Sequence, residues 1–114
     1  MDSYISFLEV LASISSFLDK SSNSSVVILG DMNAHPNRGQ HWDALQGFVD
    51  EYNFCIADLL QLSDDSYTFL SARHNIVTWI DHIITSNVSC ISDVNVQYEK
   101  TVLDHFPLAC SIIF

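Results

Sequence analysis

Residues 26–35 read Val-Val-Ile-Leu-Gly-Asp-Met-Asn-Ala-His, and the change of character at Gly30 decides the fold class. Four apolar residues suit a short strand buried on both faces. Gly30 and Asp31 end that run at once, so Asp31, Asn33 and His35 stand in a loop at the carboxyl end of a strand, where α/β sheets carry their sites. On the N-terminal side, Tyr4, Phe7, Leu8, Leu11, Ile14 and Leu18 recur at the three-and-four spacing of one helical face, which predicts an amphipathic helix. Residues 20–25, Lys-Ser-Ser-Asn-Ser-Ser, carry too many side chains that compete for backbone hydrogen bonds to continue it, and predict a loop. On the C-terminal side, Trp42, Leu45, Phe48, Val49 and Tyr52 mark a second helical face. That helix should close near Asn53, which tolerates a left-handed terminus. Residues 54–57, 67–70, 77–85, 94–98 and 108–114 are short β-rich runs separated by Asp, Ser and Asn, each predicting a strand. The order is α, β, α, then strands, the pattern of one α/β domain without internal repeats.

The 114 residues leave room for one domain, and 48% hydrophobic with 16% charged residues is the balance of a chain with a core. Four Lys plus Arg against 14 Asp plus Glu give a net charge of −10, which repels polyanions, so the charge disfavours unaided binding to DNA or an anionic membrane. No apolar run approaches the roughly 20 residues of a membrane span. The first 20 residues open on Asp2 and carry Glu9 without a basic start, unlike a secretion signal. Cys55, Cys90 and Cys110 are odd in number, widely spaced and set in apolar runs. They are expected to be buried thiols in a reducing, intracellular compartment; a catalytic cysteine would need a basic or polar setting.

Three segments carry groups able to do chemistry. Asp31 and Asn33 bring a carboxylate and a carboxamide to the loop after the first strand, with His35 converging there, although Asp and Asn also make turn hydrogen bonds in many loops. Asp81 lies within Val-Thr-Trp-Ile-Asp-His-Ile-Ile, residues 77–84, where an ionised carboxylate needs a partner, a solvated strand end or an edge strand. Trp79 and Ile83 would share its face, and His82 would be an ordinary polar residue on the other. Asp104 and His105 precede Phe106, Pro107 and the last run, at a sheet end. His105 backed by Asp81 would make a general base. Asp31 and Asp104 could hold a hard divalent cation or protonate a leaving group.

The ordered set Gly-Asp-Met-Asn-Ala-His (30–35), Thr-Trp-Ile-Asp-His-Ile-Ile (78–84) and Leu-Asp-His-Phe-Pro-Leu (103–108) resembles the later half of the endonuclease/exonuclease/phosphatase superfamily. It is most similar to the endonuclease domain of non-long-terminal-repeat retrotransposons, and Ser-Tyr-Thr-Phe-Leu-Ser (66–71) resembles that group's strand before the Asp segment. The resemblance implies half of a four-layer α/β sandwich, with helices packed on one mixed, largely antiparallel sheet, and a divalent-metal phosphodiesterase acting on DNA in the nucleus. It implies that Asp31, Asn33, Asp81 and His105 are catalytic. By the same analogy Asp31, Asn33 and Asp104 contact Mg²⁺ or Mn²⁺, and Asp104 assists the leaving oxygen.

Two departures from the superfamily pattern shape the expectation. Thr78-Trp79-Ile80-Asp81 lacks the basic residue that usually precedes the Ile-Asp pair. The superfamily's first half, which supplies an early Asn and a metal-binding Glu, has no counterpart in residues 1–114. Glu9 and Glu51 read as helix-surface residues and Glu99 adjoins Lys100 in a loop, so none replaces it. The expectation is thus a partial domain over 1–114, inactive or impaired by itself. The alternative is a non-catalytic remnant acting as an interaction module. An uncovered sheet face would promote self-association.

Overall fold

A computed structural model describes residues 3–20, 25–100 and 104–113. The first helix forms as its periodicity predicts, as α1 (Ser3–Lys20). Residues 21–24 of the expected loop and Phe114 of the expected last strand lie outside the described residues, as does Leu103 of the third motif. After α1 come β1 (Val27–Asp31), α2 (Gly39–Tyr52), β2 (Cys55–Ile56) and α3 (Ala57–Gln61). The chain continues through β3 (Phe69–Ser71), β4 (Ile76–Thr78) and β5 (Asp81–Thr85), a 3₁₀ turn at Val88–Cys90, then β6 (Ile91–Val96) and β7 (Leu108–Ile112).

The α/β arrangement holds, but the strands form three antiparallel sheets among the described residues: β1-β5-β2, β3-β4 and β6-β7. The strand expected to be buried on both faces is an edge. Among the described residues β1 pairs only with β5, Val27 opposite Thr85 through Asp31 opposite Asp81, and Leu29 remains 56% exposed. β5 is the buried strand instead. Its alternation sends Ile84 into a cluster with Met32, Trp42, Leu45, Phe48 and Val49, and Ile83 into another with Ala57, Cys90 and Ile91.

α2 buries the face its periodicity marks. Asn53 closes it at φ 56°, with the Asn53 and Phe54 amides donating to the Asp50 and Val49 carbonyls, the paired bonds of a left-handed helix terminus. α1 lies more loosely: none of its residues is fully buried, and Phe7, Leu11, Ile14 and Leu18 pack against the first cluster.

Two sequence runs divide where a single strand was expected. Residues 54–57 give a two-residue strand, and α3 begins at Ala57 with Asp58 in its first turn. Residues 77–85 break at Trp79 and Ile80 between β4 and β5. Thr68, fully buried, holds that break: its Oγ1 accepts the Ile80 and Asp81 amides at 3.0 and 3.1 Å. Its main chain joins β4 and the segment after residue 103, because Thr68 N–H donates to the Thr78 carbonyl and Phe106 N–H to the Thr68 carbonyl. Of the cysteines, Cys90 is buried while Cys55 and Cys110 are half-buried, and all three are free thiols. Burial pushes the Cys110 thiol pKa up, with the neighbouring Cys90 adding to the shift. No helix among the described residues is long and apolar enough to cross a membrane.

Candidate functional site

The opposed ends of β1 and β5 set two carboxylates side by side, since Asp31 and Asp81 are register partners. The sequence expectation that Asp81 needs a partner or a solvated strand end is met on both counts: it is the first residue of β5, half-buried, and His105 meets it. His105 arrives because residues 104–106 run antiparallel to β3, with Phe69 opposite His105 and the Leu70 amide donating to the Asp104 carbonyl. The Phe69 ring stands edge-on to the imidazole, centroids 5.1 Å apart.

His105 Nδ1 lies 3.1 Å from Asp81 Oδ2, and a proton there is donated to the carboxylate. Nε2 faces Asp31 Oδ2 at 3.6 Å, too long for a good hydrogen bond. The other Asp31 oxygen, Oδ1, accepts the Asn33 amide at 2.9 Å, and Asn33 takes the left-handed conformation at φ 49°. Asp31 therefore makes the expected turn bond with one oxygen and presents the second to His105. Asp31, Asn33 and His105 line an open groove of about 650 Å³ between α1 and the β1–β5 sheet, whose apolar walls include Phe7, Leu11, Phe69 and Ile80.

Asp31, Asp81 and His105 each offer one ligand atom, and the three atoms lie within 4.8 Å of one another, the one such group of His, Cys, Asp and Glu among the described residues. Two carboxylates and an imidazole suit a hard divalent cation that keeps several waters, as Mg²⁺ does. Asn33 lines the same groove. Asp104 is exposed beside His105 and is not in the group of three. Glu9, Glu51 and Glu99 are exposed elsewhere.

Two histidines depart from the sequence reading. His35 does not converge on Asp31 and Asn33: its Nδ1 accepts the Trp79 amide at 3.0 Å, latching the loop to the β4–β5 break. His82 is on the face opposite Asp81, as expected, but it is a fully buried, doubly hydrogen-bonded ring rather than an ordinary polar residue. Its Nδ1 lies 2.8 Å from Asp58 Oδ2 and its Nε2 2.6 Å from the Ala34 carbonyl. Both partners are acceptors, so the ring donates from both nitrogens, which is the imidazolium form. Asp58 is buried to the same degree and also accepts the Trp79 indole N–H and the Ile83 amide. Trp79 thereby turns toward Asp58 and His82 instead of sharing the Asp81 face. Asp58 was not singled out in the sequence; a lone acidic residue between Ile56-Ala57 and Leu59-Leu60 was the available signal.

These histidines titrate in opposite directions. Burial lowers the His82 pKa, but the Asp58 hydrogen bond and charge, the Ala34 carbonyl and Asp81 outweigh it, so the net shift is upward. Burial, then Arg38 and His82, hold His35 below its ordinary 6.5. His82 stabilises the fold below pH 6.5 and that contribution is lost as pH rises through its raised value; the His35 contribution is present above 6.5 and lost as pH falls. The urea midpoint is expected to decline on both sides of neutrality. His35→Asn, which keeps an acceptor for the Trp79 amide, should flatten the limb that falls away below the ordinary 6.5, and an unchanged limb would refute the assignment.

No curated protein matches the chain. A family match does cover residues 15–105, under the description Endonuclease/Exonuclease/phosphatase family. That span contains α2, β5 and all three residues of the carboxylate–imidazole group. The chain belongs to the endonuclease/exonuclease/phosphatase family.

Proposed function

We infer that the chain carries the site of a divalent-cation-dependent phosphodiester hydrolase of the retrotransposon DNA-endonuclease type. The observation that supports it most is the His105 imidazole held between Asp81 at 3.1 Å and Asp31 at 3.6 Å. With its Nδ1 proton donated to Asp81, His105 has a free Nε2 lone pair facing the groove. That atom takes a proton from an attacking water, and the Asp81 carboxylate stabilises the imidazolium that results. Asp31 and Asn33 orient the water and the phosphate at the same rim. Asp104, exposed and next to His105 in the chain, would assist the leaving oxygen. When bound, Mg²⁺ or Mn²⁺ would neutralise charge growing on the phosphoryl oxygens, a need made acute by a chain of net charge −10. Binding should be weak, because Asp31 and Asp81 are the two carboxylates of the group and His105 Nε2, acting as base, would not ligate the ion.

Nicking of supercoiled plasmid tests the reading. Slow nicking in millimolar Mn²⁺ is expected, stopped by EDTA and reduced about 10²-fold or more in His105→Ala. No nicking by the folded protein, or nicking indifferent to His105, would overturn it.

A second reading, an interaction module without catalysis, draws on exposed apolar residues along α1 and β1: Phe17 is 70% exposed, Leu29 56% and Val10 54%. On that reading the protein self-associates through this face, and a monomer at every concentration in sedimentation would refute it.

A further inference from the structure

We propose that His82, anchored by Asp58, is a positioning residue for turn 31–33, an assignment that rests on the hydrolytic reading of that turn. Asp58 at the start of α3 fixes one edge of the imidazole through Nδ1 at 2.8 Å. The opposite edge holds the Ala34 carbonyl at 2.6 Å. Ala34 directly follows Asn33, whose amide is bound by Asp31 Oδ1, and the other oxygen of Asp31 faces His105. A continuous path thus runs from α3 through the core to the groove, although none of the His82 hydrogen bonds reaches Asp31, Asp81 or His105.

The turn needs such a tie. Asp31 and Asn33 are exposed, Asn33 is left-handed, and β1 is an edge strand that stops at Asp31. Three contacts fasten the following residues to 79–82: Met32 N–H to the Ile80 carbonyl at 2.8 Å, the Trp79 amide to His35 Nδ1 at 3.0 Å, and His82 to Ala34. Of these, the His82 bond is made by a fully buried side chain of the central strand, so ring placement sets where the Ala34 carbonyl sits. An apolar residue could fill the same volume without the desolvation cost of a charged ring, but it would leave the Ala34 carbonyl without this bond. Partners that orient ligating groups commonly change metal affinity about 10–100-fold when removed.

Two substitutions divide the imidazole. His82→Gln places an amide N–H where Nε2 stood and keeps a donor for Ala34; His82→Asn places one where Nδ1 stood and keeps the Asp58 contact only. Mn²⁺ binding is followed by paramagnetic broadening of the Asp31, Asn33 and His105 signals, with urea stability measured alongside. His82→Gln is expected to bind Mn²⁺ within about threefold of wild type and His82→Asn about 10-fold or more weakly, whatever their order of stability. Equal affinities in the two variants, or losses that follow stability alone, overturn the proposal. A wild type that binds no Mn²⁺ overturns the hydrolytic reading, not this one. The Ala34 carbonyl and Asn33 amide shifts then decide: displaced in Asn but not in Gln supports positioning, alike in both overturns it. Should His82→Asn fail to fold, His82→Gln decides by the same shifts: wild-type values despite the lost Asp58 contact support the proposal, and displaced values sink it.

Discussion

Asp58→Ala is expected to lower stability by about 3–5 kcal/mol, the loss typical of breaking a buried ion pair by removing one member. Three donors converge on this carboxylate: the Trp79 indole, the His82 ring and the Ile83 amide, at 2.8, 2.8 and 2.7 Å. Alanine leaves all three without the acceptor, in a place where Asp58 and His82 are both 0% exposed. A loss of that size is a large share of the roughly 5–15 kcal/mol that holds a domain folded. The loss should also depend on pH. The Asp58 bond and charge lead the causes that raise the His82 pKa against its burial; with the carboxylate gone, burial pushes the ring toward its neutral form. Wild type then loses stability as pH rises through the His82 value while the variant does not, so the difference between them shrinks in alkali. Urea unfolding at acid, neutral and alkaline pH measures this. A difference below about 1 kcal/mol would place the Asp58 pair among interactions that contribute little.

The Asp58 pair also shows where sequence reading stops. Periodicity located α1 and α2 because each keeps one apolar face over several turns, and Asn53 marked the end of α2 by its tolerance of positive φ. Short apolar runs carry less information. Residues 26–29 and 77–85 look alike as sequence, yet one becomes an edge and the other a break followed by the central strand. The difference lies in partners far along the chain: Thr68 binds two amides at the break, and Asp58 takes the Ile83 amide where β2 gives way to α3. The meeting of Asp81 with His105 was legible because a carboxylate in an apolar run demands a partner. The roles of His35 and His82 were not, since an imidazole serves equally as latch, buried cation or base until its acceptors are known.

Asp81→Asn is expected to slow nicking at saturating Mn²⁺ about 10²-fold or more while the fold persists, the scale of impaired general-base catalysis by His105. The substitution is nearly isosteric. Asp81 is half-buried, and its backbone amide, held by Thr68 Oγ1 at 3.1 Å, is untouched. A carboxamide oxygen still accepts the Nδ1 proton of His105 from the same 3.1 Å separation, so orientation of the ring survives. The charge behind it does not. On the proposed mechanism the ring becomes a cation when Nε2 takes a proton from water, and at this distance a full negative charge stabilises that cation far more than an amide dipole does. The loss therefore falls on the rate at saturating DNA more than on DNA binding, where removal of a negative charge acts in the opposite sense. Asp93→Asn removes the same charge from an exposed position on β6 and should leave nicking within about twofold. Equal rates for Asp81→Asn and Asp93→Asn would mean that Asp81 fixes only the ring's geometry, and the proton would have to be accepted elsewhere on the groove rim.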